Sequence, residues 1–158
     1  MDANRSGDRG GNINFSRAGL GLAIAGCVAG DFVINNVVSY AIDGKFETVG
    51  LAASNNRAFS SGHTSLNSNN QTCVFGVWVG ASNNFFTTQG KIVANDDVAN
   101  GKAAIPLPDL VPNAALIGLI KIKAVSATFV PGTSNLNKSG ITATFYDCTT
   151  MPTAPFTS

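Results

Sequence analysis

A chain of 158 residues is long enough to form one domain with a hydrophobic core of its own. Only 12% of the residues are charged and the formal net charge is +1, which excludes a strongly basic nucleic-acid-binding surface and a polybasic membrane anchor. Asn, Ser and Thr supply polarity instead, and such neutral residues are typical of turns and of surfaces through which copies associate.

The cysteine and hydropathy patterns indicate a protein made in the cytoplasm. The three cysteines are far apart and form no CxxC pair, so we expect buried free thiols at Cys27, Cys73 and Cys148. One disulfide with one free thiol is the alternative. The most apolar stretch, residues 20–29, is too short to span a bilayer, which takes about 20 apolar residues. Because a long polar leader precedes it, the stretch is also unlike a signal peptide.

The N-terminal segment is polar, charged and rich in glycine, so it cannot form a core of its own. We predict a flexible arm over residues 1–14, a β-sandwich domain over residues 15–148 and an extended, proline-containing tail over residues 149–158. Three arginines lie among Gly and Asn residues in the arm and next to it. We predict that they bind an acidic surface of a partner, with a solvated arm as the alternative. They are Arg5, Arg9 and Arg17.

Apolar residues alternate with small or polar ones along much of the chain, which indicates β-strands. In chain order we predict strands over residues 19–25, 32–34, 37–42, 45–49, 73–79, 85–89, 91–94, 115–124, 127–130 and 141–147. Asp43-Gly44 predicts a hairpin turn, and the prolines of residues 105–112 predict an extended crossing segment. The polar stretches 54–71 and 95–102 are predicted to be loops. Short strands with no predicted helix indicate an all-β fold, an antiparallel, jelly-roll-like β-sandwich.

The sequence offers little chemistry for catalysis. His63 is the only histidine and Glu47 the only glutamate, and neither lies in a motif that places a nucleophile or a second acid beside it. Asp96-Asp97 lacks the spacing of a calcium loop, and one histidine with three scattered cysteines does not make a zinc site. We therefore expect no catalytic residue, no metal and no cofactor, and a protein that is not an enzyme.

Residues 38–148 resemble a known family of structural proteins. The resemblance rests on the order of six segments: Tyr40-Ala-Ile-Asp-Gly-Lys-Phe, Gly90-Lys-Ile-Val-Ala, Ala104-Ile-Pro-Leu-Pro-Asp, Ala114-Ala-Leu-Ile-Gly-Leu-Ile-Lys-Ile, Ala127-Thr-Phe-Val-Pro-Gly-Thr-Ser-Asn-Leu and Gly140-Ile-Thr-Ala-Thr-Phe-Tyr-Asp. This order is similar to that of small head-decoration, or cement, proteins of tailed bacteriophages. The resemblance implies a β-rich homotrimer that binds the major capsid protein on the capsid exterior and braces the shell. Because the shared motifs are strand-and-turn patterns, the resemblance assigns no functional residue to this chain.

Two functions follow as expectations, and a third, an esterase-like or glycan-cleaving enzyme that a tight acid pair including Glu47 would favour, has almost no support in the sequence. The first is a structural virion protein, made in the host cytoplasm, that decorates and stabilises a phage capsid without binding nucleic acid or membrane. The alternative is a carbohydrate- or receptor-binding tip of a tail fibre, with Trp78, Phe85 and Phe86 as a platform beside the polar loop 54–71. Aromatic residues in strands more often pack in a core, so exposure of these three side chains decides between the two.

Overall fold

Antiparallel β-sheets make up nearly the whole fold. The structure is a computed structural model that describes residues 12–22, 30–50, 56–68, 70–149 and 156. The prediction of an all-β, sandwich-like protein is confirmed. In chain order the strands are β1 (Ile13–Asn14), β2 (Leu20–Leu22), β3 (Asp31–Ile34), β4 (Val38–Ile42), β5 (Lys45–Val49), β6 (Asn56–Ala58), β7 (Gln71–Gly80), β8 (Phe85–Gln89), β9 (Val93–Ala94), β10 (Ala114–Ala124) and β11 (Ile141–Asp147).

The strands form three sheets. The largest has the order β11-β10-β7-β8, and β9 pairs with the start of β7. Two smaller sheets have the orders β1-β4-β5 and β2-β3-β6. The predicted turn at Asp43-Gly44 joins β4 to β5, and both of its residues have positive φ (51° and 77°), as a two-residue hairpin requires. Asn35 and Asn36 connect β3 to β4 and so link the two smaller sheets rather than two paired strands.

The main core lies between the large sheet and the two smaller ones. Alternate residues of β7 point into it and are fully buried: Cys73, Phe75, Val77 and Val79. Phe75 lies among other rings, with edge-to-face contacts to Phe59 and Phe129 at centroid distances of 4.9 and 6.2 Å. Phe59 also contacts Phe32 of β3, at 5.4 Å. These aromatic contacts join β3 to the large sheet.

A second, smaller core covers the opposite face of the large sheet. Val74 and Trp78 of β7 point into it. The extended segment 105–112, predicted from its prolines, contributes Ile105, which forms an isolated β-bridge with Phe156. Because both faces of the sheet are covered, β7 is apolar along nearly its whole length instead of alternating with polar residues.

A β-bulge divides β10 into two parts. Leu116 lies opposite Trp78 and Gly118 lies opposite Val77, so Ile117 is one residue more than β7 provides. After the bulge, Ile120 and Ile122 point into the main core, whereas Lys121 and Lys123 point to the other face. The bulge therefore sets which residues of the second part of β10 point into the main core.

Two of the predicted loops contain regular structure. Within residues 54–71, Asn56–Ala58 forms β6 and pairs with β3, and Gln71 already belongs to β7. Within residues 95–102, Asn95–Ala99 forms a short helix, α1. Its first residue, Asn95, is buried and accepts a hydrogen bond from Thr72 Oγ1 on β7, a tertiary contact that local sequence does not reveal. The two loop predictions were wrong because contacts with residues distant in sequence determine both structures. β6 is held by its pairing with β3, and the start of α1 is held by a hydrogen bond from β7.

The limits of the domain also differ from the prediction. Ile13 and Asn14, assigned to the flexible arm, form β1 and pair with β4. Asn14 is buried and donates a hydrogen bond to the Cys148 carbonyl at 2.7 Å, which ties β1 to the end of β11. Residues 127–130, predicted as a strand, contribute only a bridge between Phe129 and Leu66. Residues 1–11, 23–29 and most of 149–158 lie outside the described part of the chain.

Candidate docking surface

The outward side of the β1-β4-β5 sheet carries large apolar side chains. Alternate residues of β4 point into the main core: Val38, Tyr40 and Ile42. Ala41 therefore points outwards, and the strand register places Ile13 of β1 and Phe46 of β5 on either side of it. Continued alternation adds Phe15 and Val37. We call the surface formed by Ile13, Phe15, Val37, Ala41 and Phe46 the outer face.

Four side chains of the outer face are open to solvent. Ile13, Phe15, Val37 and Phe46 are 47%, 55%, 46% and 62% exposed. The rings of Phe15 and Phe46 contact each other at a centroid distance of 5.7 Å. Single exposed apolar residues are normal on a protein surface, but a group on one sheet face is typical of an interaction site.

Arg17 lies beside the outer face. Its carbonyl accepts a hydrogen bond from Asn36 Nδ2 at 3.0 Å, and Ser16 Oγ donates to the carbonyl of Val37 at 3.1 Å. The Arg17 side chain is exposed and follows Phe15 by two residues along the chain. Aromatic residues and arginine are the types that most often dominate the energy of a protein interface. The other two predicted partner-binding residues, Arg5 and Arg9, lie outside the described residues.

A polar cluster lies on the inner side of β5. The Tyr40 hydroxyl donates to Glu47 Oε2 at 3.0 Å, and Lys45 Nζ forms an ion pair with Glu47 Oε1 at 2.6 Å. Burial, and then the hydrogen bond to Glu47, raise the pKa of Tyr40 to about 12. The hydrogen bonds from Lys45 and Tyr40 lower the pKa of Glu47. Both groups are held in their ordinary charge states at neutral pH, which suits positioning of β5 rather than proton transfer.

Beside this cluster, β5 borders a cleft of ≈ 620 Å³. Lys45, Glu47 and Thr48 line one side of the cleft, and Ala81–Asn83, which follows β7, lines the other. β5 is the last strand of its sheet, because β4 is its only neighbour among the described residues. The edge of β5 that faces away from β4 pairs with no other described strand, and we call it the free edge.

His63 fastens a loop to β8. Its Nε2 lies 2.8 Å from Thr87 Oγ1, and its ring packs edge-to-face on Phe75 at 5.3 Å. Ser60 joins the same cluster, because its N–H donates to Thr87 Oγ1 and Thr87 N–H donates to Ser60 Oγ, each at 2.9 Å. Among the residues that the structure describes, no carboxylate makes a hydrogen bond to the His63 ring.

The position of His63 predicts a stability change below neutral pH. Burial lowers the pKa of His63 in the fold, so the unfolded chain binds a proton more readily. We expect the melting temperature to fall as pH decreases from about 7.5 to about 5.5, through the ordinary pKa of histidine near 6.5. Differential scanning calorimetry of wild type and His63→Gln checks this. A slope that is the same in both proteins would rule out His63 as its cause.

The predicted aromatic platform is absent from the described surface. Trp78 is 2% exposed, and its indole N–H donates to Thr88 Oγ1 at 2.8 Å within the sheet. Phe85 and Phe86 are half-buried and pack against the main core and the second core respectively. The guanidinium of Arg57 also lies 5.0 Å from the centre of the Phe85 ring. The three side chains therefore contribute to packing and do not form a shared ligand surface.

The expectation of buried free thiols is confirmed for two cysteines. Cys73 and Cys148 are buried and unpaired with each other. Burial raises the pKa of Cys73 to about 12 and is the first cause that raises the pKa of Cys148 to about 11. A thiol whose pKa is raised in this way stays protonated at neutral pH and is therefore a poor nucleophile. Cys27 lies outside the described residues.

Sequence reasoning missed most of the outer face. Ile13 was assigned to the arm, and Phe46 was recognised only as part of a hairpin strand. The alternation of Lys45-Phe46-Glu47-Thr48-Val49 does separate Phe46 from the two charged residues. It does not show which side faces the core, and the usual preference for buried apolar residues would place Phe46 inside. The register to Tyr40 is the information that reverses this assignment.

No group of three or more His, Cys, Asp or Glu residues that could hold a metal ion occurs in the part of the chain that the structure describes. The same part contains no helix long and apolar enough to cross a membrane. Comparison with protein-family models, with curated proteins and with solved structures finds no match to this chain, so the outer face is interpreted from its own geometry.

Proposed function

We propose that the protein is a structural virion protein that decorates and stabilises the outside of a bacteriophage capsid. The observation that supports this best is the outer face, which exposes four large apolar side chains in a chain with few charged residues. We propose that this face binds the major capsid protein. The resemblance to cement proteins suggests that copies associate as a homotrimer.

The physical basis of such a role is mass action. A protein that binds the assembled shell, but not its free subunits, lowers the free energy of the shell and opposes disassembly. Burial of Phe15 and Phe46 would supply apolar contact area, and Arg17 would supply directional hydrogen bonds to acceptors on the shell. The low net charge keeps repulsion weak between copies crowded on one surface. Arg5 and Arg9 are proposed as further contacts from the arm.

Neither rival function has a specific observation in its favour. A carbohydrate-binding tip was expected to expose Trp78, Phe85 and Phe86, and these side chains contribute to packing. An esterase-like enzyme would need a general base beside a nucleophile, and His63 instead contacts the Thr87 hydroxyl. A glycan-cleaving enzyme would need a second acid beside Glu47, and Glu47 instead contacts Tyr40 and Lys45. We therefore propose a binding role without catalysis or cofactor.

Replacement of Phe15 by serine is expected to weaken shell binding by about tenfold or more, because the change removes a central apolar contact of the outer face. The measurement is co-sedimentation of the purified protein with bare capsids assembled from the major capsid protein of the same virus. Leu110→Ser is the matched control, since Leu110 is similarly exposed but lies in the segment over the second core. Equal binding of Phe15→Ser and wild type would contradict the proposed docking face.

A further inference from the structure

We infer that the free edge of β5 is a self-association site, at which β5 pairs antiparallel with β5 of a second copy across a two-fold axis. This contact goes beyond the proposed shell binding, because it forms between copies in solution and uses the strand edge rather than the outer face. A two-fold contact is also distinct from the three-fold contact of a trimer.

The first step concerns the backbone groups of β5. Ser39 of β4 directs both of its main-chain groups to the β1 side: its N–H donates to Ser16 Oγ at 2.9 Å, and its carbonyl accepts from Phe15 N–H at 2.8 Å. The pair Ser39 and Thr48 is therefore a non-hydrogen-bonded pair of the β4-β5 ladder. It follows that the N–H and C=O of Thr48 point away from β4, and alternation gives Phe46 the same direction.

The second step concerns the register. If two β5 strands pair around Phe46, the outward N–H and C=O of Phe46 bond to those of Phe46 in the second copy. Lys45 then lies opposite Glu47 of the second copy, and Glu47 lies opposite its Lys45. The sequence Lys45-Phe46-Glu47 is thus complementary to itself when it is reversed. Opposite charges at directly facing positions stabilise an antiparallel pair.

Other registers match less well. Pairing centred on Glu47 places two carboxylates opposite each other, which is unfavourable, and it brings together residues whose main-chain groups point to β4. Pairing centred on Thr48 places Glu47 opposite Val49, so neither charge of the Lys45 and Glu47 pair meets its opposite. Charge complementarity therefore selects Phe46 as the centre.

The edge has little protection against such pairing. Proteins usually block an exposed edge strand with a charge, a proline or a bulge. Lys45 and Glu47 are the two charged residues of β5, and they balance each other in an ion pair. No proline and no register shift occur within β5.

Charge reversals test the pairing. In Lys45→Glu both positions of the strand become acidic, and in Glu47→Lys both become basic, so each variant repels its own copies. Each is expected to weaken self-association by about tenfold or more. An equimolar mixture is expected to recover it, because an acidic and a basic strand are complementary. Restoration of the ion pair within one chain cannot produce this recovery, since each chain in the mixture keeps its single change.

The measurement is sedimentation equilibrium of the purified full chain, without capsids, for wild type, each variant and the mixture. Lys138→Glu is the control for a change of net charge at an exposed position away from β5. The inference is supported if the wild-type mass corresponds to two copies, or to six copies where a three-fold contact also forms. The mixture of the two variants must also recover this mass. Monomers or trimers of wild type, undiminished association of either variant, or a mixture that remains dissociated would overturn it. Shell binding is measured separately with Phe15→Ser, so either proposal can fail alone.

Discussion

Replacement of Phe75 by alanine is expected to destabilise the protein by about 3–5 kcal/mol, the usual cost of removing a fully buried phenylalanine. The side chain is 0% exposed and contacts the rings of Phe59, Phe129 and His63. Its loss would leave a cavity between the large sheet and the loop that holds Phe59. Since domains of this size are stable by about 5–15 kcal/mol, the change would remove a large part of the total.

Urea unfolding followed by tryptophan fluorescence measures this effect, because Trp78 lies in the same strand as Phe75. Phe46→Ala is the matched control: it removes the same atoms from a side chain that is 62% exposed and is expected to change stability by about 0.5 kcal/mol or less. A similar loss in both variants would show that Phe75 does not occupy the centre of the core.

Replacement of Gly30 by alanine is expected to cost about 3 kcal/mol. The residue has a φ of +92°, which an L-residue adopts only at a cost of about 1–2 kcal/mol. An added Cβ would also lie 2.5 Å from Thr133 N and 2.6 Å from Gly132 C. Both are backbone atoms, so the neighbouring turn must shift, and overpacking of this kind costs about 1–3 kcal/mol more.

Gly101→Ala separates the two causes. Gly101 also has a positive φ, +67°, but an added Cβ would meet nothing within 4 Å. This variant should therefore show only the conformational cost of about 1–2 kcal/mol. Thermal unfolding of both variants measures the difference between them. Equal losses would mean that the contact between Gly30 and the turn at Gly132 is absent in solution.

The elements that the sequence predicts well have local causes. The Asp43-Gly44 hairpin depends on two residues that tolerate positive φ. The short apolar run of residues 73–79 predicts a buried strand, which the structure shows as part of β7. The elements that it misses have distant causes. β6 is a polar strand held by its pairing with β3, and α1 begins at a residue bonded to Thr72. Neither partner can be found from the local pattern.

The candidate site shows the same limit. Arg17 could be proposed from the sequence as a partner-binding residue, and its position beside the outer face agrees with that role without testing it. Phe46 could not be assigned to a surface, because the strand pattern is symmetrical between its two sides until the register to β4 is known. An exposed apolar face contradicts the rule that apolar residues are buried, so a sequence-based prediction tends to hide it in the core.

The bulge in β10 also determines where this chain can change in length. Ile117 is the extra residue opposite Val77, so its deletion would leave every later side chain of β10 on its present side of the sheet. Loss of Lys121 or Ile122 would move Lys123 to the position of Ile122, opposite Cys73, and so turn a lysine into the main core. Among single-residue deletions in β10, the one at the bulge therefore keeps the two faces of the strand in place, and its cost is the loss of the fully buried Ile117 side chain from the main core.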